Sequence, residues 1–255
     1  MMLTRDPTAM RSNGSSSEAA DENKDEFSRQ LCDITRGAVK HIVESGSGTN
    51  VAFPILNNAR ALAEMAYENN RTEGAKPVAC KEGCDWCCYQ RVRVSAVEAV
   101  SIVNYLLQMK DAERRAALIA RVRELDAVSR GLRNDERDAL HVPCAFLVDR
   151  RCEIHEVRPM ACSWYTSWFV EECVIRQQAG IAHSKIHADP ARTVAYDAVR
   201  KGMVEGLAGA IPGAGEANLE LIAAVADALD WDNPESEWLA GKPIFAKAHI
   251  SKKGD

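Results

Sequence analysis

No stretch of the 255 residues approaches the roughly 18 uninterrupted apolar positions that a membrane-spanning helix needs. The first ten residues hold Arg5, Asp6 and Pro7, and no apolar segment follows them, so they do not read as a secretory signal. These two absences predict a protein that stays in the cytoplasm, has no membrane partner, and keeps its thiols reduced. A surplus of positive charge is missing as well. With a net charge of −5, the chain lacks the clustered positive field that phosphate binding requires, so it carries no strong nucleic-acid signal. It shows no internal repeat. Its hydrophobic content of 46% and charged content of 27% exclude collagen, coiled coil and wholesale disorder. The length suffices for one sizeable core with accessory helices.

What the chain does have is nine cysteines. In a reducing compartment, clustered cysteines point to metal ligands or catalytic thiols rather than to disulfides. The first group reads Cys80-x3-Cys84-x2-Cys87-Cys88. Spacings of two to four residues let paired thiolates converge on one ion, and Gly83 supplies backbone freedom for a loop that wraps round it. Cys144, Cys152 and Cys162 form a second group, so the two groups have to meet in the fold. Such a donor set suits a structural zinc site or an iron–sulfur centre such as a [4Fe–4S] cluster. Seven thiols exceed the four of one such centre and fall one short of two tetrahedral sites. His141, His155 and Cys173 are the candidates for an eighth ligand. If Cys87 and Cys88 lie in extended backbone, their side chains point to opposite faces, and only one of them serves a given ion. Cys32 and Cys173 stand alone on helical segments and are set aside as packing residues, because a free cysteine often behaves as a small hydrophobe. Cys84-Asp85-Trp86-Cys87 also fits the redox Cys-x-x-Cys pattern. It lacks the strand before it and the helix after it that a thioredoxin-like site needs.

Arg91, Arg93, Arg150, Arg151 and Arg158 ring the cysteines in sequence. Guanidinium groups there would offset thiolate charge, although Arg91 and Arg93 fit the solvated face of a strand. Trp164, Tyr165, Trp168 and Phe169 follow Cys162 and would either shield the site or fill an ordinary core.

The periodicity predicts a mainly α, single-domain protein with a small β-hairpin or strand element that carries the cysteine cluster. Residues 1–25 are expected as a disordered tail, 26–75 as N-terminal helices, 76–170 as the metal-binding region, 171–232 as C-terminal helices and 233–255 as a tail. Helices are predicted from Phe27 to Val43, with Gly46, Ser47 and Gly48 as the break, and from Val51 to Tyr67. A short strand is predicted at 91–94, then a capping box at Ser95 and Glu98 opening a helix, and a helix over 112–130. A hairpin turning at Asp149-Arg150 follows, and two more helices are predicted from Pro190 to Leu207 and from Glu216 to Leu229.

The three blocks Cys80-x3-Cys84-x2-Cys87-Cys88, Pro143-Cys144-Ala145-Phe146-Leu147, and Cys152-Glu153-Ile154-His155-Glu156-Val157-Arg158-Pro159 with Cys162 together resemble the YkgJ-type cysteine-cluster proteins. These are also called the CxxCxxCC family of zinc- or iron-chelating domains. The resemblance implies a metal-binding role for Cys80, Cys84, Cys87, Cys88, Cys144, Cys152 and Cys162. The chain departs from the family pattern at three points. Three residues separate Cys80 from Cys84 instead of two, His155 stands where an aromatic is common, and Ser163 stands where Arg is expected. Flagellin lysine methylases look similar around their cysteines, yet no glycine-rich nucleotide fingerprint occurs here. The sequence therefore predicts a zinc- or iron-chelating protein. The alternatives are an iron–sulfur-dependent enzyme or redox protein that uses the surplus thiols, and an interaction protein stapled by its metal.

Overall fold

The sequence alternates long amphipathic segments with short turn-rich ones, and the computed structural model, described over residues 15–46, 50–179 and 185–250, is accordingly mainly α with two small two-stranded sheets. Helix α1 (Ser15–Ser45) and helix α2 (Ala52–Asn69) come first. α1 starts well inside the segment expected to be a tail. Exposed polar residues 22–26 carry the helix outward from Phe27, the first side chain packed on the core, since adding residues to an existing helix is easy compared with nucleating one. Residues 1–14, the Ser47–Gly48 part of the expected break and the last five residues lie outside the described residues. On these two helices Ile34 and Met65 are 59% and 58% exposed.

Strand β1 (Arg93–Val94) runs into helix α3 (Ala96–Gln108), followed by α4 (Ala112–Ser129) and the short α5 (Asn134–Ala139). Strands β2 (Leu147–Val148) and β3 (Arg151–Cys152) form the expected hairpin, with Leu147 opposite Cys152. Its two turn residues, Asp149 and Arg150, have φ of 47° and 61°. Two successive positive values are those of a type I′ turn, whose twist matches the strands it joins. Helices α6 (Met160–Trp164), α7 (Val170–Ala179) and α8 (Pro190–Ala210) come next. They are followed by strand β4 (Leu219–Glu220) and helices α9 (Leu221–Ala228) and α10 (Pro234–Leu239). The helix expected from Glu216 is thus shorter and begins only after β4.

The body is a helix stack. α1 lies along α8, α2 packs between α8 and α3, and α9 bridges α3 and α4. α1 and α8 approach closely at Gly202 and Gly206. A Cβ at Gly202 would stand 2.3 Å from the Cys32 carbonyl oxygen, and one at Gly206 2.9 Å from Val39 Cβ. β1 and β4 pair antiparallel, Arg93 with Glu220 and Val94 with Leu219, so α3 and α9 spring side by side from one tiny sheet.

The segment 233–250, expected to be a tail, is instead built into this body. Glu235 on α10 accepts the N–H groups of Val51 and Ala52 at 2.6 and 2.8 Å and the Asn104 side chain at 2.7 Å, and it thereby caps α2. Trp238, Ile244, Phe245 and Ala248 are buried, and Ile250 donates to the Asn218 carbonyl beside β4 at 3.0 Å. Burying side chains such as Ile244 and Phe245 is worth about 1.5–3 kcal/mol each, enough to hold a segment that looks polar on average.

Candidate metal centre

The first cysteine group begins in the loop after α2. Lys81 to Cys84 close a turn in which the Cys84 N–H donates to the Lys81 carbonyl at 3.0 Å, and Gly83 sits at φ 80°, the left-handed region in which a side chain would be strained. Cys80 is exposed, whereas Cys84, Cys87 and Cys88 are half-buried. Trp86–Tyr89 is a 3-10 turn, fixed by the Cys88 N–H to the Asp85 carbonyl at 2.9 Å. The expectation of opposed faces for Cys87 and Cys88 therefore fails. It assumed extended backbone; in the 3-10 turn their two thiols hydrogen-bond to each other.

The two cysteine groups meet. The Cys144 N–H donates to the Cys88 carbonyl at 2.7 Å, and from there the chain enters the β2–β3 hairpin that carries Cys152. A 3-10 turn at His155–Val157 and the rigid Pro159 then lead into α6, which carries Cys162. Two buried polar groups hold that helix. Glu98, wholly buried, accepts from Ser95 N–H at 2.7 Å and from Met160 N–H at 2.8 Å. Arg192 from α8 donates to both carboxylate oxygens of Glu64, at 3.1 and 2.8 Å, and to the Ser163 carbonyl at 3.1 Å. Ion pairs of Arg150 with Asp85 (3.3 Å) and Arg151 with Glu82 (2.9 Å) tie the hairpin tip to the first cysteine loop. A cleft of about 580 Å³ opens between that loop and the tip.

Charge and hydrogen bonding define the chemistry. Cys144 receives the Phe146 N–H, Cys152 the Ile154 N–H and Cys80 the Ser167 N–H, bonds that favour the thiolate. Burial outweighs them. It pushes Cys144 up to about 12 and Cys162 well above the ordinary thiol range, and it raises Cys80 and Cys152 as well. Cys87 moves the other way, to about 7, because the Cys88 thiol donates to it; Cys88 is correspondingly raised. The pair gives up one proton readily and the second with difficulty. Arg158 is a cationic neighbour of both Cys87 and Cys152, and its Nε donates to Ser163 Oγ at 3.1 Å. The serine found where an arginine was expected thus orients the arginine that faces the thiols. Arg91 instead bonds Asn134 at 3.3 Å, and Arg93 is exposed on β1.

Of the candidates for an eighth ligand, His141 is exposed with Asp138 as its charged neighbour. His155 is also exposed, and its charged neighbours are Arg158, Arg60 and Glu156. Cys173 differs, being buried with Cys80, Cys87 and Cys84 as electrostatic neighbours. Spacing gave no sign of this, since Cys173 stands eleven positions beyond Cys162 on a separate helix. Cys32 is buried at the contact of α1 with α8, as a packing residue. Of the four aromatics after Cys162, Tyr165 has Cys87 and Cys173 as neighbours, whereas Phe169 packs edge-on against His187.

Among the described residues, no three Cys, His, Asp or Glu side chains already stand at coordination distance from a common point. The sulfurs share one neighbourhood without forming a ready-made coordination shell. Chemically the donor set fits: soft sulfur ligands that accept peptide N–H bonds beside one guanidinium suit zinc or iron rather than the hard cations. The arrangement defines a class, a helical scaffold bearing a cluster of cysteines. The match to known proteins agrees. Residues 79–185 match the model of the CxxCxxCC family, described as “Putative zinc- or iron-chelating domain”, and this bears out the resemblance drawn from the three motif blocks. No curated protein and no solved structure matches the chain.

Proposed function

We propose that the protein chelates zinc or iron through Cys80, Cys84, Cys87, Cys88, Cys144, Cys152 and Cys162, and that the bound metal locks the hairpin and α6 onto the loop after α2. The observation that carries this reading is the Cys144 N–H to Cys88 carbonyl bond at 2.7 Å. It brings two cysteine groups more than fifty residues apart in sequence into one neighbourhood. Ordinary core packing is a poor account of the cluster, because Cys80 is exposed and the other six residues are only partly buried, while apolar Phe146, Ile154, Val157 and Met160 fill the interior beside them.

Anaerobic purification with elemental analysis and a visible spectrum tests the proposal. Stoichiometric zinc in a colourless protein identifies the zinc form. Iron with acid-labile sulfide in a brown protein identifies an iron–sulfur centre. Protein free of metal under both anaerobic and aerobic preparation would sink the proposal.

A further inference from the structure

A second cavity, of about 290 Å³, opens at the C-terminal end of α3, beside α10 and the start of α2. Asn50, Asn104, Gln108, Asn233 and Ser236 line it with amides and a hydroxyl. Leu107 adds an apolar edge, and Glu235 supplies a carboxylate. No cysteine, lysine, arginine or histidine is among the lining residues.

The carboxylate is the informative group. Glu235 is 4% exposed, and its hydrogen-bond partners are the Val51 and Ala52 N–H groups and the Asn104 amide, none of them a cation. Bonds of this kind favour the ionised form. The start of α2 offsets part of that charge, but a buried charge without an opposite charge beside it is costly. Lys110 and Arg115 follow α3, and neither lines the cavity; Arg115 bonds the Leu107 and Met109 carbonyls at 3.4 and 3.0 Å. Three bonds also leave acceptor capacity, since an ionised carboxylate offers about four positions.

The remaining walls are matched to the same kind of guest. Asn104 gives its amide N–H to Glu235 at 2.7 Å, so its carbonyl oxygen is left to accept. Gln108 stands one turn further along α3, on the same face. The Asn233 oxygen takes the Ser236 N–H at 3.4 Å, which leaves the Asn233 amide hydrogens outside the acceptor set. A group with three donors and a positive charge satisfies a carboxylate and two amide oxygens together, and an ammonium is such a group. Leu107, 44% exposed, offers contact to a short hydrocarbon chain attached to it.

We propose that this cavity binds a small aliphatic amine, whose ammonium donates to Glu235 and to the side-chain oxygens of Asn104 and Gln108. The site shares no residue with the cysteine cluster and stands whether or not the protein holds metal.

The probe is n-butylamine, with n-butanol as its neutral counterpart, each titrated into the full-length protein at constant ionic strength and followed by the NMR signals of the Asn104 and Gln108 side-chain amides. Saturable shifts with the amine and none with the alcohol are expected. Gln108 is exposed, so the fold does not depend on it. Gln108→Lys puts a tethered ammonium at the cavity and should weaken amine binding about 10-fold or more, because like charges oppose each other there; Gln108→Glu should tighten it. No saturation with the amine, equal shifts with the alcohol, or unchanged binding by Gln108→Lys would overturn the proposal. Potassium ion giving the same shifts would replace the amine by a bare cation, and tighter binding of Nα-acetyl-lysine methylamide would replace it by a lysine side chain of another protein.

Discussion

The carboxylate of Glu98, at the start of α3, accepts the backbone N–H of Met160, the first residue of α6, at 2.8 Å. Its other oxygen accepts the Ser95 N–H at 2.7 Å and the Ser95 hydroxyl at 2.6 Å. One buried acid thus closes its own helix and fixes the helix that carries Cys162. Glu98→Ala leaves two buried N–H donors without partners, which costs about 1–3 kcal/mol apiece. Urea unfolding of the metal-free protein should show a loss of about 3 kcal/mol. A loss under about 0.5 kcal/mol, the scale of an ordinary surface change, would mean that the carboxylate does not anchor α6.

The thiols give the metal-free, reduced protein a two-sided pH dependence. Cys87 has been moved down to about 7 from an ordinary value of 9.0, so the folded state binds fewer protons there than the unfolded chain, and stability rises from about pH 7 to 9. Cys144 has been moved up to about 12, with Cys162, Cys80 and Cys152 in the same direction. There the folded state holds the extra protons, and stability is lost as pH climbs above about 9. The urea midpoint should climb modestly and then fall. A midpoint that is flat up to about pH 10 would show these sulfurs to be as well solvated as in the unfolded chain.

Arg158→Met removes the cation shared by Cys87 and Cys152. Zinc affinity should drop about 10-fold, the usual scale for a partner of a metal ligand, and alkylation of Cys87 in the metal-free protein should shift to higher pH. Arg158→Lys should recover part of both effects. Unchanged affinity together with an unchanged alkylation profile would make Arg158 a mere spectator.

At the α1–α8 contact, Gly202→Ala would force a Cβ to 2.3 Å from the Cys32 carbonyl oxygen. Backbone would then meet backbone, and a loss of about 2 kcal/mol or more is expected in thermal or chemical unfolding. Gly209→Ala on the same helix meets nothing within 4 Å and should stabilise by about 0.5 kcal/mol through helix propensity. Equal effects for the two would mean that the helices are not in close contact at Gly202.

Much of the fold was legible wherever the signal is local. The Ser95/Glu98 box, the turn at Asp149-Arg150, Pro190 at the head of α8 and the helix over 112–130 all stand where the sequence places them. Each rests on residues within one or two turns of one another. What escaped was long-range. The second role of Glu98 depends on a residue 62 positions away, and the cap that Glu235 places on α2 joins segments 184 apart, so the segment around it read as a polar tail. The cysteines were legible as a group, but the placing of Cys173 beside Cys80, Cys84 and Cys87 was not. Cys173 shares no spacing with the rest, and adjacency alone could not show that Cys87 and Cys88 lie in a tight 3-10 turn.

The bond between Cys144 and Cys88 also sets an order in time. A chain made from its N-terminus exposes Cys80 to Cys88 before Cys144 exists. At about 5–20 residues per second the gap lasts several seconds, and it lengthens further before Cys162 follows. During that interval four closely spaced thiols wait without the hairpin that will cover them. The nascent protein is then at its most vulnerable to oxidants and to stray copper. Its yield in a cell should respond to how reducing, and how rich in the right ion, the surroundings of the ribosome are.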